Sequence, residues 1–329
     1  MKKTLVALSV LFAATSAQAF EVYNQDSVTV DLHGDIEVTY QNSFKESSMK
    51  QQIEDADFGF DVRYAINDDL QFGGYWAFDG SNDNNAKVTK NGDTYVALYS
   101  KTYGSIKFGR LCTAVDDLGG ITSDYQFDVN KLYQGASGDY ACRDEGIRYD
   151  YDNGTFYTTV GFVQDKMGDE HGAKTDADYV DGRIGYRVAD FDLSVFYANL
   201  DFEVPALGTD EDAHGFEIDY SGLENIRLGL GYYATNKDAT DADTNVYTFG
   251  ADYYLGKWTF ATAYSLAAED NAKDVNSWFL NAGYNLAPNT TVYAEVAGND
   301  GKTNMADANQ PAEYRDNTTA FAVGVKASF

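Results

Sequence analysis

The sequence predicts an all-β chain, a transmembrane antiparallel β-barrel of sixteen strands with short periplasmic turns and long extracellular loops. Three observations carry that prediction. Apolar or aromatic residues alternate with polar ones along most of the chain, the pattern of a strand greasy on one face and wet on the other. Most of these runs are about ten residues long, the length a tilted strand needs to cross a bilayer. The connectors between them alternate in size, as the two rims of a membrane barrel do.

Taken in order, residues 1–19 (MKKTLVALSVLFAATSAQA) place Lys2 and Lys3 before an apolar run and end in Ala17-Gln18-Ala19. This is the pattern of a cleaved secretory signal, and its apolar run is too short for a spanning helix. Removing it takes the net charge from −28 to −30 and leaves residues 20–329 as one barrel domain. The first strands follow at Val30, Leu32, Ile36, Val38 and Tyr40, then at Phe58, Phe60, Val62, Tyr64 and Ile66. Further runs include Leu70, Phe72, Trp76 and Phe78; Ile226, Leu228, Leu230 and Tyr232; and Trp258, Phe260, Thr262, Tyr264 and Leu266. The last alternates Phe321, Val323, Val325, Ala327 and Phe329 with small or polar residues. Tight connectors at 67–69, 152–154, 189–190 and 255–256 interleave with long acidic ones at 42–55, 81–92, 166–177, 201–213 and 298–317. Tyr40, Tyr64, Trp258 and Tyr284 sit toward strand ends, where aromatic girdles belong. A soluble sandwich is the competing fold, but it would bury the second face of each strand, which here carries charges.

After residue 19 no continuous apolar stretch reaches helix-spanning length, and with a mean hydropathy of −0.42 hydropathy alone would class the chain as soluble. With 52 acidic against 24 basic residues the chain repels phosphate, which excludes a nucleic-acid partner. Its 15% aromatic content and three prolines belong to a folded chain rather than a disordered acidic one.

Two internal stretches resemble a known family. YVALYSKTYGSIKFGR (95–110) looks like the hairpin before the constriction loop of trimeric general diffusion porins, and EGIRYDYDNGTFY (145–157) resembles the strand pair after it. The terminal Phe329 resembles the signal that the barrel assembly machinery reads in outer-membrane barrels. The Pro-Glu-Phe-Gly-Gly run common in enterobacterial members is missing, as in a divergent branch such as the porins of marine gammaproteobacteria. The resemblance implies a homotrimer in the Gram-negative outer membrane, in contact with lipopolysaccharide. Each barrel would be a water-filled pore for passive diffusion of ions and small hydrophilic solutes. Its third loop would fold inward so that acids on it face bases on the wall.

The connector 111–144 is too long for an ordinary hairpin and is the candidate constriction loop. LGGITSDYQFD (118–128) resembles its acidic tip, which assigns the constriction to Asp124 and Asp128, with Asp116 and Asp117 beside them. By strand parity Arg63, Lys107, Arg148, Arg183, Arg187 and Arg227 point into the lumen. Arg148 and Arg63 are the strongest candidates to face the loop, and for Arg183, Arg187 and Arg227 a solvated lumen charge is the simpler reading. The inward acids Asp31, Asp35, Glu37, Asp57, Asp61, Asp181, Glu217, Asp219, Asp252 and Glu295 outnumber these bases, which predicts cation preference.

Cys112 and Cys142, the only cysteines, lie at the roots of that connector. In an exported protein an even pair is read as a disulfide. Catalytic material is scarce: His33, His171 and His214 are far apart, and no nucleophile-base constellation or dinucleotide fingerprint occurs, so an enzyme is the weaker reading. No cofactor and no structural metal are expected; DATDADTN (238–245) starts like a calcium loop but lacks its glycine and terminal glutamate, leaving loose divalent binding at acidic loops. The alternative function is a sugar-specific channel, with Tyr157, Tyr179, Tyr233 and Tyr293 inward by parity.

Overall fold

The structure, a computed structural model, describes residues 20–44, 46–80, 89–128, 140–166, 176–204, 208–237, 243–270, 273–300 and 319–329. The expected signal segment, His171 and most of the connectors 81–92, 166–177, 238–245 and 298–317 lie outside the described residues.

Alternation along the chain becomes β1 (Phe20–Gln25), β2 (Val28–Ser43), β3 (Glu46–Ala65), β4 (Leu70–Asp79), β5 (Lys90–Ser100), β6 (Gly104–Cys112), β7 (Cys142–Asp152), β8 (Phe156–Gln164) and β9 (Ala177–Val188). It continues through β10 (Phe191–Phe202), β11 (Glu211–Leu223), β12 (Ile226–Lys237), β13 (Thr244–Leu255), β14 (Trp258–Glu269), β15 (Val275–Ala287), β16 (Thr290–Asn299) and β17 (Thr319–Ser328). Every strand pairs antiparallel with its chain neighbour, and β17 pairs back onto β2, closing the sheet.

β1 has no position of its own in the ring. It pairs with residues 28–32 of β2, on the same edge whose residues 35–41 pair with β17, and it runs in the direction of β17. Phe329 exchanges N–H and C=O bonds with Gly34 at 2.8 and 2.9 Å, while Phe20 stands opposite Leu32. The two segments are halves of one strand, so the barrel has the sixteen positions that the sequence predicts.

Short turns collect on one rim. The Asn67 side chain accepts the amides of Asp69 and Leu70 at 2.9 Å, and Asn153 accepts those of Thr155 and Phe156 at 3.0 and 2.8 Å. These side chains replace the ladder bonds that a reversing backbone gives up. On the opposite rim the expected long connector at 42–55 is different: β2 and β3 stay paired up to Ser43 and Glu46. Polarity on both faces made that stretch read as a loop, but a ribbon standing clear of lipid needs no apolar face.

Outward positions carry the apolar stripe, including exposed Phe60, Val96, Phe108, Val160, Leu230 and Leu280. Rings gather near both rims. Trp258 lies 4.8 Å from Tyr284 near the short turns, and Tyr232 lies 5.2 Å from Tyr247 toward the other end. The interior holds more core than the sequence suggests. Ala114 and Leu118 of the 111–144 connector bury against Val163, Tyr179, Phe196, Leu200, Tyr233 and Val246 of β8 to β13. Apolar residues at inward positions of those strands make a seat for the connector instead of lining water.

Candidate functional site

The described part of the connector after β6 lies inside the barrel. It opens with a 3-10 turn, Ala114–Asp117, and then crosses the inner wall from β7 to β2. Its root is a disulfide, Cys112 to Cys142, which are direct cross-strand partners with Cα atoms 4.0 Å apart. Both sulfurs are thereby committed, so the trio Cys112, Asp116 and Cys142 offers no metal site.

The wall holds the connector by both polarities of its backbone. Carboxylates on successive strands accept its donors. Asp181 on β9 takes the Val115 amide at 2.8 Å and the Thr113 hydroxyl at 2.7 Å. Glu217 on β11 takes the Gly119 amide at 2.7 Å. Asp252 on β13 takes the Thr122 hydroxyl at 2.7 Å and the Ser123 amide at 3.0 Å. Glu295 on β16 takes three consecutive amides, those of Tyr125, Gln126 and Phe127, at 2.8, 3.1 and 2.6 Å. Gln126 reaches β2, donating to Glu37 at 2.8 Å.

Side-chain donors on the wall take the carbonyls. Arg148 donates to the Cys112 and Thr113 carbonyls at 3.0 and 3.1 Å, and Arg183 to that of Asp117 at 2.7 Å. Arg227 donates to the Gly120 carbonyl, and Asn281 to that of Ser123 at 2.7 Å. Charged hydrogen bonds of this kind are worth about 1.5 to 3 kcal/mol each, enough together to fix the path of a connector that has no ladder of its own. Glycine makes the approach possible. A Cβ on Gly250 would stand 2.7 Å from the Thr122 Cβ, and one on Gly229 would stand 2.6 Å from that of Ile121. Tyr125 completes the seat by stacking on Tyr293, with ring centroids 4.2 Å apart and planes within 2°. Burial, reinforced by the charge of Glu295, pushes the Tyr125 hydroxyl up to about 12 and keeps it neutral.

Of the four expected constriction acids, Asp117 faces Arg148 at 2.7 Å. Burial raises its carboxyl above the ordinary range, and Arg148 pulls it partly back. Asp116 is exposed beside it, and Asp124 and Asp128 lie half-buried on the segment between Ser123 and the end of the described connector. The bases differ from their expected parts. Arg63, expected to oppose the connector, is held by Asp61 on its own strand at 2.7 Å and lies 4.0 Å over the Tyr99 ring. Lys107 pairs with Asp150 at 3.0 Å, and Arg187 with Asp152 at 2.8 Å and Asp192 at 3.0 Å. Arg183 and Arg227, expected to be merely solvated, are among the residues that grip the connector.

Two other expectations change. Asp181, Glu217, Asp252 and Glu295 are at most 3% exposed, so these inward acids are anchors and not part of an open lumen surface. Tyr179 and Tyr233 are buried, Tyr233 bonding Glu217 at 2.7 Å, and Tyr293 lies under Tyr125, so three of the four inward tyrosines are closed to a passing solute. Parity gives the side of a wall residue but not what covers it. A usable signal was present: Gly250 and Asp252, like Gly229 and Arg227, put an inward glycine two positions from an inward charge, which marks a wall site that backbone can approach.

With the connector lying from β9 to β16, the free passage runs along β2 to β7. Its wall is rich in acids that face one another across strands: Asp31 with Asp61, Asp35 with Asp57, and Asp57 with Asp79. Of the histidines, His33 faces this passage 6.2 Å from Tyr75, whereas His214 is exposed on the outside near Tyr232, so these two share no site.

Residues 4–304 match the family model described as Gram-negative porin. Porin-like protein H of Photobacterium profundum is 30% identical over 324 residues, covering 91% of this chain and 95% of that protein. Outer membrane protein U of Vibrio parahaemolyticus is 26% identical over the full length of both chains. Among solved structures, in-vitro folded OmpT of Vibrio cholerae in its trimer form superposes with a TM-score of 0.73 at 18% identity, covering 92% of this chain and 100% of that one.

Proposed function

The chain belongs to the Gram-negative porin family, and from that premise we propose that it conducts small cations in preference to anions while passing small hydrophilic solutes without specific selection. The coarse activity, an outer-membrane pore, comes with the family. The preference rests on one observation, the composition of the uncovered wall. Like charges directly opposite one another on neighbouring strands destabilise a sheet, so the acid pairs of β2 to β4 serve something other than stability. Three bases of this wall are matched by an acid close at hand, Arg63 by Asp61, Lys107 by Asp150 and Arg148 by Asp117 and Asp150. An opposed base-against-acid field across the opening is therefore weak, and the acids set the potential that a permeating ion meets. Passage depends on charge and size, without a chemical step, which is the reading of a channel rather than an enzyme.

We take the working form to be a homotrimer, as the trimer form of the Vibrio cholerae OmpT structure suggests. We further assign Phe329 as the residue the barrel assembly machinery reads and lipopolysaccharide as the outer-leaflet neighbour. The test is the reversal potential across a planar bilayer in a salt gradient. A cation-selective potential that shrinks as salt rises, because added ions screen the wall, is expected; an anion-selective potential overturns the assignment.

A further inference from the structure

Phe44 is the only aromatic residue between Tyr40 and Phe58, and it stands at the tip of the ribbon of β2 and β3, where Ser43 pairs with Glu46. A lone ring at the end of such a polar ribbon would meet water on every side. It is half-buried instead. The ribbon leans over the barrel mouth, and Phe44 packs with Phe127 of the connector, ring centroids 5.9 Å apart, onto Ala261 and Ala263 of β14, Phe279 of β15 and Ala297 of β16. Both rings are set from behind. Glu295 takes the Phe127 amide at 2.6 Å. At the foot of the ribbon the Asn42 side chain accepts the Phe321 amide of β17 at 2.6 Å, just past the last pair of that ladder, Gln41 opposite Ala322.

We propose that Phe44 and Phe127 form an apolar seal closing a second route, between the connector and β14 to β16, so that permeating ions are confined to the acid-lined passage along β2 to β7. The inference rests on the pore reading and adds to it two residues that set selectivity from outside the passage. Size supplies the first argument. Alanines on an inward face leave space beside the connector, yet Ala261 and Ala263 are 2% exposed and Ala297 is 0% exposed, because the two rings occupy that space. Polarity supplies the second, since an apolar constriction stops an ion by denying it water. Charge supplies the third. The wall beneath the rings is neutral, and Glu295 beside it is committed to three connector amides. Ions taking this route would pass without the preference that an acid-lined wall imposes.

The test is single-channel current through the full-length protein in planar bilayers, read together with the reversal potential in a salt gradient. Phe44→Ser removes the ring and wets its place. A larger open-state current and a reversal potential shifted toward zero are expected, while Phe44→Leu, which keeps apolar bulk, stays at wild-type values. Ala263→Cys reports on the route itself, because Cys112 and Cys142 are joined and leave it the only free thiol. A cationic methanethiosulfonate reagent is expected to leave the current of Ala263→Cys alone unchanged. Combined with Phe44→Ser, the same position is expected to react, removing the added current and restoring the reversal potential. Wild-type open current and reversal potential in Phe44→Ser, with or without brief closures, overturn the seal and make Phe44 a support for the connector only. An added current that the reagent leaves intact overturns it too. So does modification of Ala263→Cys with Phe44 in place, a result that does not depend on the Phe44 variants assembling. Absence of salt current from the wild type overturns the pore reading itself.

Discussion

At the scale of single residues, wall charges divide into two kinds that look alike in sequence. Glu295 and Asp61 are both inward acids on strands, yet one holds three amides of the connector and the other neutralises an arginine on its own strand. Substituting each separates the roles. Glu295→Gln keeps the shape but weakens three charge-assisted bonds, which loosens the connector by about 2 kcal/mol; single-channel records are expected to show frequent brief closures that the wild type lacks. Asp61→Asn instead releases the charge of Arg63 into the passage and is expected to lower cation preference in the reversal potential with no added closures. On the turn rim, Asp69 accepts from the Ser100 hydroxyl at 2.8 Å and the Thr102 amide at 3.0 Å, and these bonds hold its carboxyl below the ordinary carboxylate value. A depressed carboxyl stabilises the folded state above its unfolded pKa and loses that contribution as pH falls through the folded one. Asp69→Asn should therefore flatten the acid limb of barrel stability between about pH 4 and the lower folded value, measured as the pH dependence of heat-induced unfolding in detergent.

Among the elements, the strands were legible in the sequence and the path of the connector was not. Alternation located the strands and predicted which side chains turn inward, because a two-residue period is imposed by the backbone itself. Length and the pair Cys112 and Cys142 marked the connector. Which wall residues meet it depends on how its backbone lies in three dimensions, and no period in the chain encodes that. Arg183 and Arg227 look like Arg187 by parity, and only the folded connector tells them apart. The ribbon of β2 and β3 was missed for the converse reason, since it lacks the apolar face on which the pattern depends. The disulfide and the wall anchors now make distinguishable predictions. In the chain-entropy account, a loop of about 31 residues closed by a disulfide stabilises by roughly 3 to 4 kcal/mol. Cys112→Ser with Cys142→Ser should lower the unfolding temperature but leave single-channel conductance within about twofold, because the carboxylates and arginines still hold the connector. A several-fold rise in conductance would show that the disulfide, and not the wall, fixes the connector's path.

For the whole molecule, the acid excess and the closed sheet are separate solutions to separate demands. Closure leaves no strand edge unpaired and lets an apolar exterior meet lipid, while the described acids lie on the connector, on the wall that seats it, along the passage and at the water-facing rims. The composite strand carries a consequence for how such a ring comes into being. Its two halves are the first and last segments of the described chain, so the seam joins the parts most distant in sequence and shuts only when both are in place. The register also shows how small the break is: Phe329 stands opposite Gly34 and Phe20 opposite Leu32, leaving only the place opposite His33 between them. A one-residue graft across that place, with new ends opened in a tight turn such as that at Gly256, is expected to yield a permuted protein with wild-type conductance. Severed and rejoined in this way, the ring would have exchanged its seam for another without altering the hole it encloses.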